Sequence, residues 1–428
     1  MITEQNRFPI KGEFGKNAFT LTIGTSIAQA FPLIFYPILG RIYTPVEFGV
    51  LATLTSITSI LTVISTGNYE NSILITRTKK DAVNVIGLVI LLSAFILLIS
   101  FILLEIISNH ISVWFNEPSL KKWLFICPIS AFAIIIYNCF NEWSVRNKYF
   151  VSLASNKIIN SSATTLSKVF FGFVKFASNG LVLGDLTGRI ISASGCVFRA
   201  LRKDRVEFFQ MSFKQMRLLA NRYLEFPKLT LPAQVINTIG GSLPVLLIGA
   251  YFNSIEVGYY AMTMFVLSVP ISVISLAIKD VFRQRANEEY IKTGSCIEIF
   301  RKLLRILTFV GVLGSIIIFF LLPGLFSIVL GEKWRIAGEY SQILLPMIAI
   351  NFVCTSLSGV LIITKKMKEV IYLEIYYTGI TIISLLLGCI VFQDIKAVLI
   401  CFAIGRSTSY LLYVFLSYRY SKGNRVNV

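Results

Sequence analysis

Residues 82–104, AVNVIGLVILLSAFILLISFILL, contain no Asp, Glu, Lys or Arg. About 20 residues of helix rise about 30 Å, enough to cross the hydrocarbon core of a bilayer. A helix in a soluble core needs only one apolar stripe, whereas this one is apolar on every side. Segments 17–40, 48–69, 229–255, 257–278, 306–331 and 340–364 are equally free of charge. The pattern specifies an all-α polytopic membrane protein. Spans are expected near 17–40, 47–70, 82–106, 122–142, 153–174, 178–198, 229–251, 257–279, 305–330, 340–364, 370–392 and 397–418.

Hydrophobic residues make up 55% of the 428 and charged residues 14%, against about 25% charged in a soluble domain. A net charge of +18 would suggest nucleic acid in a soluble chain, but here the placement of the charges decides. Twelve spans with both termini on one side put thirty of the forty Lys and Arg on that side, counting Lys157, Lys279 and Arg305 toward the inner ends of their spans, and seven on the other. By the positive-inside rule both termini are cytoplasmic. Attraction to anionic membrane lipids is a secondary consequence of the same charge, and no nucleic-acid recognition motif is present. The opening MITEQNRFPIKGEFGK is polar for too long to be a cleavable signal, so the first span is expected to act as an uncleaved anchor. The seven Cys are scattered without a C-x-x-C or a neighbouring His. They read as small apolar packing residues, with no metal or other cofactor implied.

The chain also repeats itself. A shift of 209 residues aligns GRIYTPVEFGVLATLTSITSI (40–60) with GAYFNSIEVGYYAMTMFVLSV (249–269), bringing Gly40 onto Gly249, Glu47 onto Glu256, Gly49 onto Gly258, Ala52 onto Ala261 and Ser59 onto Ser268. In the sixth span of each half, GRIIS (188–192) matches GRSTS (405–409) at a shift of 217. Six spans per half is an even number, so both halves enter from the same side. The expected architecture is two six-helix bundles related by a pseudo-two-fold axis along the membrane normal. The domains are then 1–198 and 229–428, joined by a basic amphipathic connector, 199–228. A second basic amphipathic segment, 280–304, is expected to lie at the same interface.

Two spans are unusually polar. SLASNKIINSSATTLSKVFFGFV (152–174) carries Lys168, and ASNGLVLGDLTGRIISASGCV (177–197) carries Asp185 and Arg189. An Arg or Asp at mid-bilayer costs about 2.5–3.5 kcal/mol even on the lenient insertion scale, so these helices must face protein or water. Counted from the ends of their spans, Arg189 lies about 16 Å deep and Arg406 about 14 Å deep. Two guanidinium groups at matching depths suit a phosphate or pyrophosphate in a central cavity, with Lys168 as a third candidate. Against this, Asp185 and Arg189 are four apart on one face and can neutralise each other, and Lys168 lies level with Asp185 on the neighbouring helix. Asp185 and Glu70 are the candidates for coupling to a proton or sodium ion, although Glu70, like Glu374, falls near a span end where a solvated role is natural. His110, the sole histidine, falls in a loop.

At these residues the sequence resembles a known family. FPLIFYPILGRIYTPVEFGV (31–50), NYENSILIT (68–76), NGLVLGDLTGR (179–189) and YLEFPKLTLPAQVINTIGGSLPVLLIGAYFNSIEVGYYAMTMFVLSVP (223–270) are similar to the oligosaccharide flippases of the Wzx type. These belong to the multidrug/oligosaccharidyl-lipid/polysaccharide exporter superfamily. The resemblance implies a MATE-like pair of bundles around a cationic cavity in the bacterial inner membrane. It implies as substrate an undecaprenyl-pyrophosphate-linked repeat unit of O-antigen, lipopolysaccharide or another surface polysaccharide, with polymerase and chain-length proteins as partners. It places Arg189 among the cavity-lining residues, whereas Arg406 rests on the internal repeat alone.

Two other classes are weighed against this transporter. A cation-coupled multidrug exporter of the same superfamily would line its cavity with carboxylates, and this chain offers Arg and Lys at that depth. A membrane glycan polymerase or acyltransferase would need a large outer catalytic loop or a His within a span, and neither is present. An enzyme is not expected. No G-x-x-x-x-G-K-[ST] motif occurs, so nucleotide hydrolysis is not the energy source either.

Overall fold

The computed structural model describes residues 13–174 and 179–423; the opening stretch on which the anchor reading rests lies, up to Gly12, outside them. Among the described residues there are helices and no strand. The first half contains α1 (Glu13–Ile42), α2 (Pro45–Thr66), α3 (Lys79–Trp114), α4 (Ile126–Arg146), α5 (Phe150–Val174) and α6 (Gly180–Phe208). A short helix, α7 (Phe213–Arg222), follows. The second half contains α8 (Leu231–Tyr251), α9 (Ser254–Thr293), α10 (Ile297–Phe319), α11 (Arg335–Leu357), α12 (Met367–Leu387) and α13 (Ile395–Ser421). Among the described residues, eleven helical segments are long and apolar enough to cross a membrane. The twelfth is α5, which has the length, 25 residues, but whose Ser, Thr and Asn lower its hydropathy. It is shielded instead by α1 and α6, which pack along it.

Polar side chains start the helices where the sequence repeat places them. Thr44 caps α2 in a box with Glu47, and Asn253 caps α9 by accepting from the Glu256 N–H. Thr44 and Asn253 coincide under the shift of 209. Such caps satisfy backbone N–H groups that the first helical turn leaves without partners.

The segment 280–304 is not a separate helix. It consists of the continuation of α9, 40 residues long, and the start of α10. Phe282, Ala286, Phe300 and Leu307 pack there into a buried cluster, which holds the two helices together. The connector falls into two pieces. α6 runs on to Phe208 with a kink at Asp204, and the short α7 packs on α3, burying Met216 and Leu219. His110 is exposed on the last turns of α3 rather than in a loop.

The two ends of the molecule are built differently. Call the end carrying the connector and the 147–149 and 294–296 turns the basic end. At the far end, one buried cluster joins Leu39, Tyr43 and Phe48 of the first half to Val257, Trp334, Tyr340 and Phe402 of the second. Here α2 runs along α9. A Cβ on Gly49 would lie 1.8 Å from the Ser254 carbonyl oxygen, and one on Gly258 would lie 1.9 Å from that of Pro45. Pro45 and Ser254 coincide under the same 209 shift, so the contact is reciprocal across the pseudo-two-fold axis. The Trp334 indole N–H donates to the Gly40 carbonyl at 2.8 Å, and its ring meets Phe48 edge-on at 5.1 Å. At the basic end each half has its own core, around Trp143 in one and Phe300 in the other.

Candidate functional site

Between the halves, toward the basic end, lies a cleft of about 170 Å³. Thr25, Ser26 and Gln29 of α1 and Lys157 of α5 line one wall; Leu276 and Asp280 of α9 line the other. Lys157 donates to the Thr25 hydroxyl at 2.9 Å, and Ser272 donates to Gln29 across the seam at 3.4 Å. A lysine head among hydroxyls in a membrane is tolerable because oxygen atoms replace part of its hydration.

Deeper along α5, Lys168 stands eleven residues from Lys157, roughly 16 Å at the helical rise and almost the same angular position. It meets α6 through glycines. A Cβ on Gly184 would be 2.5 Å from the Lys168 Cα, and one on Gly188 2.3 Å from the Thr164 Cα. Small residues at a spacing of four let membrane helices approach backbone to backbone. The next residues after these glycines, Asp185 and Arg189, are thereby set against α5. Lys168 Nζ lies 2.7 Å from Asp185 Oδ1, and Arg189 Nε donates to Asp185 Oδ2. The carboxylate is thus shared, and neither cation is left wholly free. The three groups together retain one positive charge.

The second half solves the same problem without an acid. Gly405 packs against Ser384 of α12, at 2.8 Å for its notional Cβ, as Gly188 packs against α5. Arg406 follows it. Its guanidinium carbon sits 3.6 Å from the centroid of the Tyr377 ring, with Phe402 at 5.5 Å. Arg406 is 8% exposed, and its Nε and Nη1 have no hydrogen-bond partner. The aromatic face supplies cation–π attraction, worth about 2 kcal/mol when desolvated. That does not satisfy the two buried nitrogens.

The structure therefore brings Lys168, Asp185 and Arg189 together and holds Arg406 apart from them, with no ion pair or hydrogen bond joining the two groups among the described residues. None of the four lines the cleft. Glu70 is remote from both, in a short 3-10 segment (Tyr69–Ile75) after α2, with one carboxylate oxygen buried and unpartnered. Glu374 is exposed and accepts from Asn237 at 3.2 Å. Sequence reading missed Tyr377 and Lys157. Spacing carried no signal for Tyr377, whose role depends on which helices meet, whereas Lys157 was visible as a charge in a polar span. The six Cys at 127, 139, 196, 296, 354 and 389 are buried and all seven are unbridged.

Residues 38–338 match the family model described as polysaccharide biosynthesis protein. The chain belongs to that family. No curated protein matches the sequence. Among solved structures, the lipid II flippase MurJ in an inward closed conformation is similar at 12% identity and a TM-score of 0.76, over 94% of this chain and 87% of that one. The MATE multidrug transporter DinF-BH is similar at 16% identity and a TM-score of 0.64, over 98% of each chain. A MOP superfamily transporter from Pyrococcus furiosus, reported with a binding pocket of reverse polarity, is similar at 12% identity and a TM-score of 0.62, over 97% of this chain and 98% of that one. At such identities the likeness concerns the fold. This member of the polysaccharide biosynthesis family is a multi-pass membrane protein folded like the flippases and multidrug transporters, as the sequence resemblance implied.

Proposed function

We propose that the protein is a flippase. Its cargo is a polyprenyl-pyrophosphate-linked oligosaccharide repeat unit, moved across the bacterial inner membrane by alternating access for O-antigen or another surface polysaccharide. The observation that carries this reading is Arg406, a buried guanidinium with two unpartnered nitrogens. An unpaired buried cation is costly, and an arriving anion removes the cost. Guanidinium grips phosphate oxygens in a bidentate fork. The Lys168–Asp185–Arg189 group supplies a second positive charge in the other half, and Lys157 supplies one in the cleft. With Arg406 these make three positive charges, one within each half and one in the cleft, that favour an anionic headgroup over hydrocarbon. Unpaired burial there would cost tens of kcal/mol on Born estimates. The prenyl tail stays in lipid.

Thirty basic residues against seven support a cytoplasmic position for the basic end. The cleft then faces the cytoplasm, and the shared core closes the other side. The candidates for ion coupling are Asp185, bridged by two cations, and Glu70, with one carboxylate oxygen unpartnered. The test is surface-glycan display in a deletion strain carrying Arg189→Glu or Arg406→Glu. Both variants should insert at normal levels and lose display, and display retained in both would remove the paired-cation reading. Loss of drug tolerance with glycan intact in the deletion strain would favour a drug exporter instead.

A further inference from the structure

α9 has a second working face. On the side away from the cleft, α9 and α10 enclose a groove of about 540 Å³. Ile278 and Val281 of α9 and Leu303 and Ile306 of α10 give it apolar walls, and Arg285 and Lys302 stand over it. Phe282 against Phe300, at 6.3 Å between rings, closes its floor. The depth of these residues is informative. The hydrocarbon spans read from the sequence end near 279 and begin again near 305, so Ile278 and Ile306 are level with acyl chains. Lys302 is four residues, roughly 6 Å, beyond Ile306, and Arg285 is seven residues, roughly 10 Å, beyond Ile278. Both cations therefore stand at headgroup level. Both are exposed, and among the described residues neither has an ion-pair partner. The neighbouring Arg301 is turned away, donating to the Tyr418 hydroxyl at 2.9 Å.

We infer that this groove binds one anionic phospholipid of the leaflet at the basic end, phosphate between Arg285 and Lys302 and one acyl chain against Ile278, Val281, Leu303 and Ile306. The combination of apolar walls below and two unpaired cations above matches such a lipid in charge and in depth. A phospholipid is favoured over the cargo's own prenyl chain because groove and cleft lie on different faces of α9 and share only Ala277. The inference is independent of what the cleft transports.

The experiment uses the full chain in nanodiscs containing phosphatidylcholine and a minor fraction of phosphatidylglycerol, followed by quantification of lipid retained after detergent extraction. Wild type should retain phosphatidylglycerol about thirtyfold above its share of the bilayer, the size expected for two interfacial cations. R285Q and K302Q, both at exposed positions, should each reduce the enrichment, and the double variant should abolish it. Leu303→Trp fills the groove with both cations intact and should abolish it too. Equal retention of the two lipids by wild type would overturn the site. So would enrichment that survives Leu303→Trp, or displacement of the retained lipid by added polyprenyl phosphate.

Discussion

At the far end the two halves share one core, and at the basic end each keeps its own. Both ends bury aromatic side chains fully, Trp334 at one and Trp143 at the other, so packing quality does not separate them. What differs is whose residues meet. Trp334 of the second half packs on Phe48 and donates to Gly40 of the first, whereas Trp143 donates to Asp204 within its own half at 3.0 Å. The proposed flippase, opening to each side in turn, would need one end joined and the other divided at any moment, and the shared core makes the far end the joined one.

The contrast can be broken most directly at the glycines. Gly49→Leu or Gly258→Leu cannot be accommodated, because even the first carbon would collide with a backbone carbonyl. Either change should part the far end, lengthen the distance between spin labels at Pro118 and Arg335, and abolish export. The two should act alike because their contacts are reciprocal; unchanged distances in both would mean that the shared core does not hold the halves together. Next in size, Trp334→Ala should cost about 3–5 kcal/mol and lengthen the same distance. Trp143→Ala should cost a similar amount in thermal unfolding and leave that distance unaltered.

Smaller effects sharpen the comparison. Arg406→Leu should raise the thermal midpoint, by about 1 kcal/mol or more of stability, because an unpaired buried charge is removed. The same variant should lose export, so stability and activity would move in opposite directions. A fall in both would show that Arg406 has a structural partner. Smallest of all, Gln29→Ala at the divided end removes a hydrogen bond worth about 1 kcal/mol at most. It should leave melting and label distances nearly unchanged.

Much of this was legible in the sequence. Charge-free runs of helical length mark the spans, since hydrocarbon tolerates little else, and the 209-residue shift flags the reciprocal glycines. Spacing also indicated that Asp185 could meet both Arg189 and Lys168, which it does. The sequence could not show that Pro45 faces Gly258 while Ser254 faces Gly49, because contact between halves is not encoded by periodicity within either. Tyr377 was hidden for the same reason: a ring becomes a platform for Arg406 only once α12 and α13 have met. That 280–304 belongs to α9 and α10 was not legible, because basic amphipathic composition suits both a separate helix and the ends of two long ones packed on each other.

α9 starts at the reciprocal glycine contact and ends at Thr293, beyond the span end expected near 279, with Pro270 partway along. From Gly258 to its tip it measures roughly 50 Å. If the seam is the fulcrum, a tilt of about 10° swings the far tip by roughly 9 Å. A rearrangement too slight to disturb a few backbone atoms at one surface becomes, at the other, a displacement as large as a sugar ring, which is what the proposed cargo would need.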